Sequence, residues 1–221
     1  MPQIITVLYE DDQIVVFDKP CGFLVTPSPG KTKKVLTEIV NAQYMAGSEC
    51  RLHPCHRLDE MTSGAIIYAK GKRSQKIVMD MFHQGRVEKV YVAFVKGRVK
   101  QSSGVIRRPV RDHYQKRFAA ASRAKSAVTR YRVVDRGKGF TVVEARPETG
   151  RTNQIRIHFA ETGHPILGER VYAFRKDFDV DMKRLALHCQ SLGFVHPVTE
   201  KTISVASQMP GDMMDFLKRN A

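Results

Sequence analysis

Successive runs of β-branched and aromatic residues constrain the fold of this chain more than any other feature. They predict strands at 4–9, 13–17, 64–69, 90–96, 127–134, 140–145, 184–195 and 202–206. The strands follow one another and do not alternate strictly with helices. This order indicates an α+β fold with a mixed, largely antiparallel β-sheet flanked by helices and loops, and disfavours a doubly wound parallel sheet.

Four helices are expected between the strand runs, at about 34–45, 74–84, 152–162 and 210–219. Ser74 and Thr152 are predicted to cap the second and third of these helices, and Gly85 and Gly163 to follow their ends. No repeat or linker divides the chain. A single domain over residues 1–221 is therefore expected.

The charge of the chain points to a polyanionic partner. Lys and Arg number 37 against 22 Asp and Glu, a formal net charge of +15. Cations that neutralise phosphates release counterions, which favours binding to nucleic acid. A basic surface without a specific partner is the alternative. A basic loop, or an irregular pair of short strands, is predicted at about 107–126, where the cations are Arg107, Arg108, Arg111, Lys116, Arg117, Arg123 and Lys125.

Several classes of protein lose support. The sequence has no apolar run long enough to span a membrane and no secretory signal at its start, so a cytoplasmic protein without membrane contact is expected. Cys50 and Cys55 lie near His53 and His56, but not at the spacing of a common zinc site. Dinucleotide-binding, Walker A, HExxH and GxSxG motifs are missing from the sequence, which disfavours methyltransferases, helicases and metallohydrolases.

Three polar clusters remain as candidates for chemistry: HRLDEMTSG at 56–64, Lys89-Val90-Tyr91, and TGRTNQIRIH at 149–158. Each has an ordinary explanation. The first could be a solvated loop with an Arg–Asp pair, the second a half-buried strand tyrosine, and the third a helix with a solvated arginine. Composition alone favours these ordinary explanations.

The same clusters carry a family resemblance. HRLDEMTSG matches the HRLDxxTSG signature of the RluA-type pseudouridine synthases. Further blocks resemble that family in the same order over most of 7–197: LYEDDQIVVFDKPCGFLV, EKVYVAFVKG, KSAVTRYRVV, ETGRTNQIRIH, GHPILGERVY and LALHCQSLGFVHP. Many relatives carry an additional N-terminal S4 RNA-binding module. Because this chain begins almost at once with the catalytic domain, it resembles the compact members without an S4 domain. Cys21 stands where many relatives have Ser.

The resemblance implies catalytic roles for Asp59, Tyr91 and Arg156 in an active-site cleft across the sheet. Asp59 would act at C1′ of the uridine, by attack, by stabilising an oxocarbenium ion or by taking the C2′ proton, and the sequence does not choose among these routes. Arg156 would keep Asp59 ionised, and Tyr91 would stack on the uracil and accept the C5 proton. No cofactor and no metal are expected.

The resemblance also implies how substrate is bound. Arg57 would fill the space left by the flipped uridine, and Leu187 would line the uracil pocket, although a plain core leucine explains Leu187 almost as well. The expected partner is RNA, as an rRNA or tRNA stem-loop, bound by a monomer. The alternative from another class is a non-catalytic RNA-binding or RNA-chaperone protein on the same fold. A deaminase would need a zinc triad that is not found in the sequence.

Overall fold

The computed structural model describes residues 4–28, 34–45, 50–111, 124–174 and 178–220. Its strands are β1 (Val7–Glu10), β2 (Ile14–Lys19), β3 (Leu52–Pro54), β4 (Ser63–Lys70), β5 (Glu88–Lys96), β6 (Ser103–Arg107), β7 (Val128–Gly137), β8 (Phe140–Pro147), β9 (Leu187–Val195) and β10 (Thr202–Ala206). Its helices are α1 (Leu36–Met45), α2 (Lys72–His83), α3 (Gln154–Glu161) and α4 (Gly211–Asn220). None of these described helices is long and apolar enough to cross a membrane.

The chain divides into two units, Met1–Lys89 with His188–Pro210, and Val90–Leu187 with Gly211–Ala221. In the first unit the strand order is β1-β2-β4-β9, with β3 also paired to β4 and β10 to β9. All of these pairs are antiparallel except β4 and β9, which run parallel from the pair Ser63 and His188. The central strands β2 and β4 are buried over continuous apolar runs, as expected for strands covered on both faces.

In the second unit the strand order is β5-β8-β7-β6, and every pair is antiparallel. Helix α3 packs against β7 and β8. Helix α4 contributes Phe216, whose ring lies 6.0 Å from Phe94 and 5.2 Å from Phe140, centroid to centroid. This aromatic cluster anchors the carboxyl-terminal helix on the unit's core. The observed elements confirm the predicted α+β class with a mixed, largely antiparallel sheet.

Both predicted helix caps are wrong. Helix α2 begins at Lys72 after Gly71, and Ser74 lies inside it, donating its hydroxyl to Gln13 Oε1 at 2.6 Å. Helix α3 begins at Gln154, so Thr152 lies outside it. The Gln154 side-chain oxygen instead accepts the Arg151 N–H at 3.0 Å. Gly71 and Asn153 occupy the two N-cap positions, and neither helix start has a side-chain cap hydrogen bond.

The other differences lie in short or irregular segments. Strand β9 begins at Leu187, later than the predicted 184, and β3 and β6 were not predicted. Of the basic loop at 107–126, residues 112–123 lie outside the described residues. At its two ends, Val110 and Lys125 form an antiparallel bridge. The single-domain boundaries at 1–221 and the cleft across the sheet stay predictions.

The close approach of β4 to β9 can be tested with one methyl group. Gly64 has φ +112, and a Cβ there would lie 2.2 Å from the Cys189 carbonyl oxygen, whereas Gly71, with φ +93, has nothing within 4 Å of such an atom. We expect Gly64→Ala to lower the free energy of unfolding by about 3 kcal/mol or more, since backbone must move. Gly71→Ala, the control for backbone strain alone, should cost about 1 kcal/mol. Equal losses in urea unfolding would contradict the close approach.

Candidate active site

The buried side chain of Lys19 holds the loop that carries Asp59. Lys19 is the last residue of β2, and none of its surface is exposed. Its three N–H groups are shared among four carbonyl oxygens, which lie from Nζ at 3.1 Å (Pro20), 3.2 Å (Asp59), 3.0 Å (Glu60) and 2.6 Å (Thr62). A buried ammonium requires such acceptors, because it has lost its water. The backbone of the loop is thereby tied to the end of a core strand.

His56 fixes the start of the same loop. Its Nε2 accepts the backbone N–H of Ile67 in β4 at 3.0 Å, and its ring stacks on Phe82 at 4.4 Å between centroids. Burial, with the nearby charge of Lys89 as a second cause, lowers the pKa of His56 to about 3. The imidazole is therefore neutral near pH 7, as an Nε2 acceptor must be. This bond holds the residue three positions before Asp59 against the core strand.

Between these two anchors the side chains alternate in direction. Arg57 is exposed, Leu58 is buried, and Asp59 is partly exposed. The Asp59 carbonyl also accepts the N–H of Thr62 at 3.0 Å, which closes a turn. Arg57 has no hydrogen-bonded or ionic side-chain partner among the residues that the structure describes. The loop thus offers a carboxylate and an uncommitted guanidinium two residues apart.

A buried polar chain lies next to this loop. The hydroxyl of Ser63, the first residue of β4, is 3.0 Å from His188 Nδ1, and His188 Nε2 is 3.2 Å from Ser207 Oγ. The Ser207 hydroxyl donates to Asp18 Oδ1 at 2.9 Å. Because each buried polar group has a partner, the chain joins β2, β4 and β9 without an unsatisfied group in this set.

In the second unit, Arg156 is held by an acid that the sequence did not single out. Its Nε and Nη2 donate to the two carboxylate oxygens of Glu169, each at 2.8 Å, and its Nη1 donates to Asn153 Oδ1 at 2.6 Å. The guanidinium carbon lies 5.1 Å from the ring centroid of Tyr172. A bidentate pair of this kind fixes the plane of the guanidinium as well as its position.

Glu169 is itself buried and ionised. Burial alone would raise the pKa of its carboxyl, but the hydrogen bonds from Arg156 and from the backbone outweigh burial and hold that pKa below its usual value. The backbone donors include the N–H groups of Arg170 at 2.9 Å and Val171 at 2.8 Å. An acid within the apolar run PILGERV was the available signal for Glu169, and a lysine ending a buried strand was the signal for Lys19.

Tyr91 and Leu187 belong to the second unit with Arg156, whereas Asp59 and Arg57 belong to the first. Tyr91 lies in β5, is 8% exposed and pairs with Ala145 of β8. Leu187 opens β9 and is 3% exposed. This burial is also what an ordinary core leucine would show. The pairing of Asp59 with Arg156 and the catalytic roles of these residues stay predictions.

The described residues around Cys50 and Cys55 are not arranged as a metal centre. Burial raises the pKa of the Cys55 thiol to about 12, so it is protonated near pH 7, whereas a metal ligand must be a thiolate. Among the residues that the structure describes, no group of three or more His, Cys, Asp or Glu side chains is arranged to hold a metal ion.

The neutral state of His56 predicts a pH dependence of stability. Its folded pKa of about 3 lies below the ordinary 6.5, so below pH 6.5 the unfolded chain binds a proton that the folded chain excludes. Stability from this residue is complete above pH 6.5 and falls with pH by up to about 1.4 kcal/mol per unit. The free energy of unfolding can be measured in urea at pH 7.5 and at pH 5. Between these two pH values the wild type should lose about 1–2 kcal/mol more of it than His56→Gln, whose amide oxygen can still accept the Ile67 N–H. The same loss in both proteins would contradict this account.

The chain is similar over most of its length to known RNA pseudouridine synthases. Residues 13–161 match the model of the RNA pseudouridylate synthase family. An uncharacterized RNA pseudouridine synthase of Aquifex aeolicus is 38% identical over 87% of this chain and 66% of its own length. The ribosomal large subunit pseudouridine synthase D of Vibrio cholerae is 34% identical over 96% of this chain and 69% of its own length. This chain thus spans about two thirds of the length of these relatives.

A solved structure agrees with the family match. Human RNA pseudouridylate synthase domain containing 4 superposes with a TM-score of 0.79 at 25% identity, over 96% of this chain and 92% of that one. The matched range 13–161 includes the Asp59 loop, Tyr91 and Arg156. The chain belongs to the RNA pseudouridine synthase family.

Proposed function

We propose that this isomerase converts specific uridines in structured RNA into pseudouridine, with Asp59 as the central catalytic residue. The observation that carries the proposal is the Asp59 loop. Its backbone is fixed by Lys19 while the side chain of Asp59 is left partly exposed. A carboxylate on a rigid backbone is suited to act on one atom of a bound substrate. The alternative of a non-catalytic RNA-binding protein gives no reason for such a construction.

The reaction needs little besides a carboxylate near C1′ of the nucleotide. The N1–C1′ bond breaks, the uracil turns, and a C5–C1′ bond forms before the C5 proton leaves. Asp59 would attack C1′, stabilise positive charge there, or take the C2′ proton on the way to a glycal. All three routes need an ionised carboxylate and none changes the oxidation state overall. The proposal therefore requires neither a cofactor nor a metal.

The other catalytic residues would support Asp59 and handle the proton. Arg156 would pair with Asp59 and keep it ionised, in an orientation that Glu169 and Asn153 define. Tyr91 would stack on the displaced uracil and accept the C5 proton through its oxygen. Leu187 would line the uracil pocket. Glu169 would act through Arg156 and is therefore a positioning residue.

Arg57 would act at the base-flipping step. A stacked uridine must leave its helix before Asp59 can reach C1′, and extrusion costs a few kcal/mol. The exposed guanidinium of Arg57 has no described partner, so it is available to enter the vacated space and stack there.

The substrate would be rRNA, tRNA or both. Relatives named as ribosomal large subunit pseudouridine synthases support rRNA and, with it, a cytoplasmic location. We further propose that the protein acts as a monomer and that one catalytic domain spans residues 1–221.

Removing the charge of Asp59 tests the central assignment. Asp59→Asn keeps the size of the side chain and the carbonyl contact with Lys19, so fold and RNA affinity should be unchanged. Tritium release from RNA labelled at uridine C5 should fall below detection. Asp80→Asn, at an exposed position in α2, is the matched control and should keep full activity. Retention of more than about a tenth of the wild-type rate by Asp59→Asn, or about 1.4 kcal/mol of barrier, would show that Asp59 is not the central catalyst.

The two arginines should differ in their response to RNA structure. Arg57→Ala should lose much more activity on a stem-loop than on an unstructured RNA with the same target, because only the stem-loop needs extrusion. Arg156→Lys keeps a cation beside Glu169 but loses the bidentate fork, so it should slow turnover on both RNAs to a similar degree. Rates per bound complex are compared. The same ratio of losses for both variants would contradict this division of roles.

A further inference from the structure

A basic cavity of about 650 Å³ lies in the second unit, outside the set of residues assigned to catalysis. It opens beside β6 and β7 and the end of α3. Its cationic and aromatic lining residues include Arg98, Lys100, Arg107, Arg108, Tyr131 and Phe159. None of the described residues that line it is acidic. Such a concave, single-sign surface concentrates positive potential and favours an anionic ligand.

Three of these cations have no partner that would explain their position. Arg98, Lys100 and Arg107 are exposed, and none has an ion pair or hydrogen-bonded side-chain partner among the residues that the structure describes. Arg108 differs, because its Nη1 donates to the carbonyl of Glu161 at the end of α3 at 3.1 Å. Arg108 therefore has a structural role as a helix cap. The other three are available for a ligand.

The cavity shares a sheet face with Tyr91. In the strand register Tyr91 of β5 pairs with Ala145 of β8, and Ala145 pairs with Tyr131 of β7. Directly paired residues point to the same face, and two strand spacings amount to about 10 Å. Tyr131, which lines the cavity, is thus about 10 Å from the active-site tyrosine along one face.

Gly104 leaves space for the ring of Tyr131, which lines the cavity. It pairs with Tyr131 across β6 and β7, and a Cβ at this position would lie 2.7 Å from the Tyr131 hydroxyl oxygen. The absent side chain gives the Tyr131 ring space to lie across β6, where it also packs edge-on against Phe159 at 5.8 Å between centroids. An ordinary solvated surface would have cations but no such recess beneath them.

We propose that this cavity binds the phosphodiester backbone of the substrate RNA on the sheet face that carries Tyr91, through Arg98, Lys100 and Arg107. The proposal rests on the proposed function, because it takes the RNA substrate as the ligand. Phosphate contacts of this kind set the position of the RNA and carry no base specificity of their own.

The test compares two triple variants that lose the same charge. The cavity variant is Arg98→Gln, Lys100→Gln and Arg107→Gln. The control variant is Lys138→Gln, Lys183→Gln and Lys218→Gln, at exposed positions of the same unit that also have no described side-chain partner. The probe is a fluorescein-labelled oligouridylate of about twelve nucleotides, a length within the usual site sizes for single strands. Thermal melting should show that both variants fold like the wild type, since all six positions are exposed.

The cavity variant should bind the probe at least about tenfold more weakly near 0.1 M salt, and its slope of log affinity against log salt should be smaller by about two units. The control variant should change that slope by less than about half a unit. Equal losses in the two variants, or no loss in the cavity variant, would overturn the proposal. A third result would also overturn it: inorganic phosphate binding that is lost in the cavity variant while RNA binding is unchanged. The cavity would then be a site for free anions.

Turnover separates this proposal from the function on which it rests. On C5-tritiated total RNA from cells that lack the gene, the cavity variant should show a raised KM with kcat within about twofold of the wild type, since phosphate contacts position the RNA. A kcat that falls with KM unchanged would argue against a binding role. A wild-type protein that releases no tritium would refute the proposed function, and the binding comparison would still decide the proposal for the cavity.

Discussion

The geometry of the candidate active site depends first on the buried ammonium of Lys19. One cation at the end of a core strand accounts for four carbonyl oxygens, three of them in the Asp59 loop. The carbonyl oxygens of Asp59 and Glu60 also accept the backbone N–H groups of Thr62 and Gly22, and the Lys19 ammonium adds a second, charge-assisted donor to each. The loop is therefore positioned through its backbone, and the side chains of Arg57 and Asp59 need not stabilise it. These side chains are therefore available for catalysis and substrate binding.

In the second unit it is a side chain, that of Arg156, that is held in place. Arg156 is surrounded by Glu169, Asn153 and Tyr172, so its orientation is set before any substrate binds. Glu169 in turn is held by backbone N–H groups, which keeps its charge in a buried place. A preorganised cation of this kind does not have to reorient during the reaction, which is how electrostatic stabilisation becomes effective.

Features that depend on local sequence could be predicted, whereas features that depend on contacts between distant residues could not. The α+β class and most strands came from the periodicity of apolar residues, which is local information. The roles of Asp59, Tyr91 and Arg156 came from resemblance. The contacts of Lys19 join residues about forty positions apart. The space for the Tyr131 ring depends on the pairing of Gly104 with Tyr131 across two strands. Neither feature can be predicted from the spacing of residues in the sequence. The cap at Ser74 failed for the same reason, because a distant Gln13 engages its hydroxyl, whereas Thr152 lies two residues before a helix that begins at Gln154.

The proposed activity is pseudouridine formation that requires Asp59. The most direct measurement maps pseudouridines in the RNA of cells with the gene, without it, and with the Asp59→Asn gene in its place. One or a few positions in rRNA or tRNA should lose pseudouridine without the gene, and the wild-type gene but not the Asp59→Asn gene should restore them. An unchanged map in the cells without the gene, or full restoration by Asp59→Asn, would contradict it.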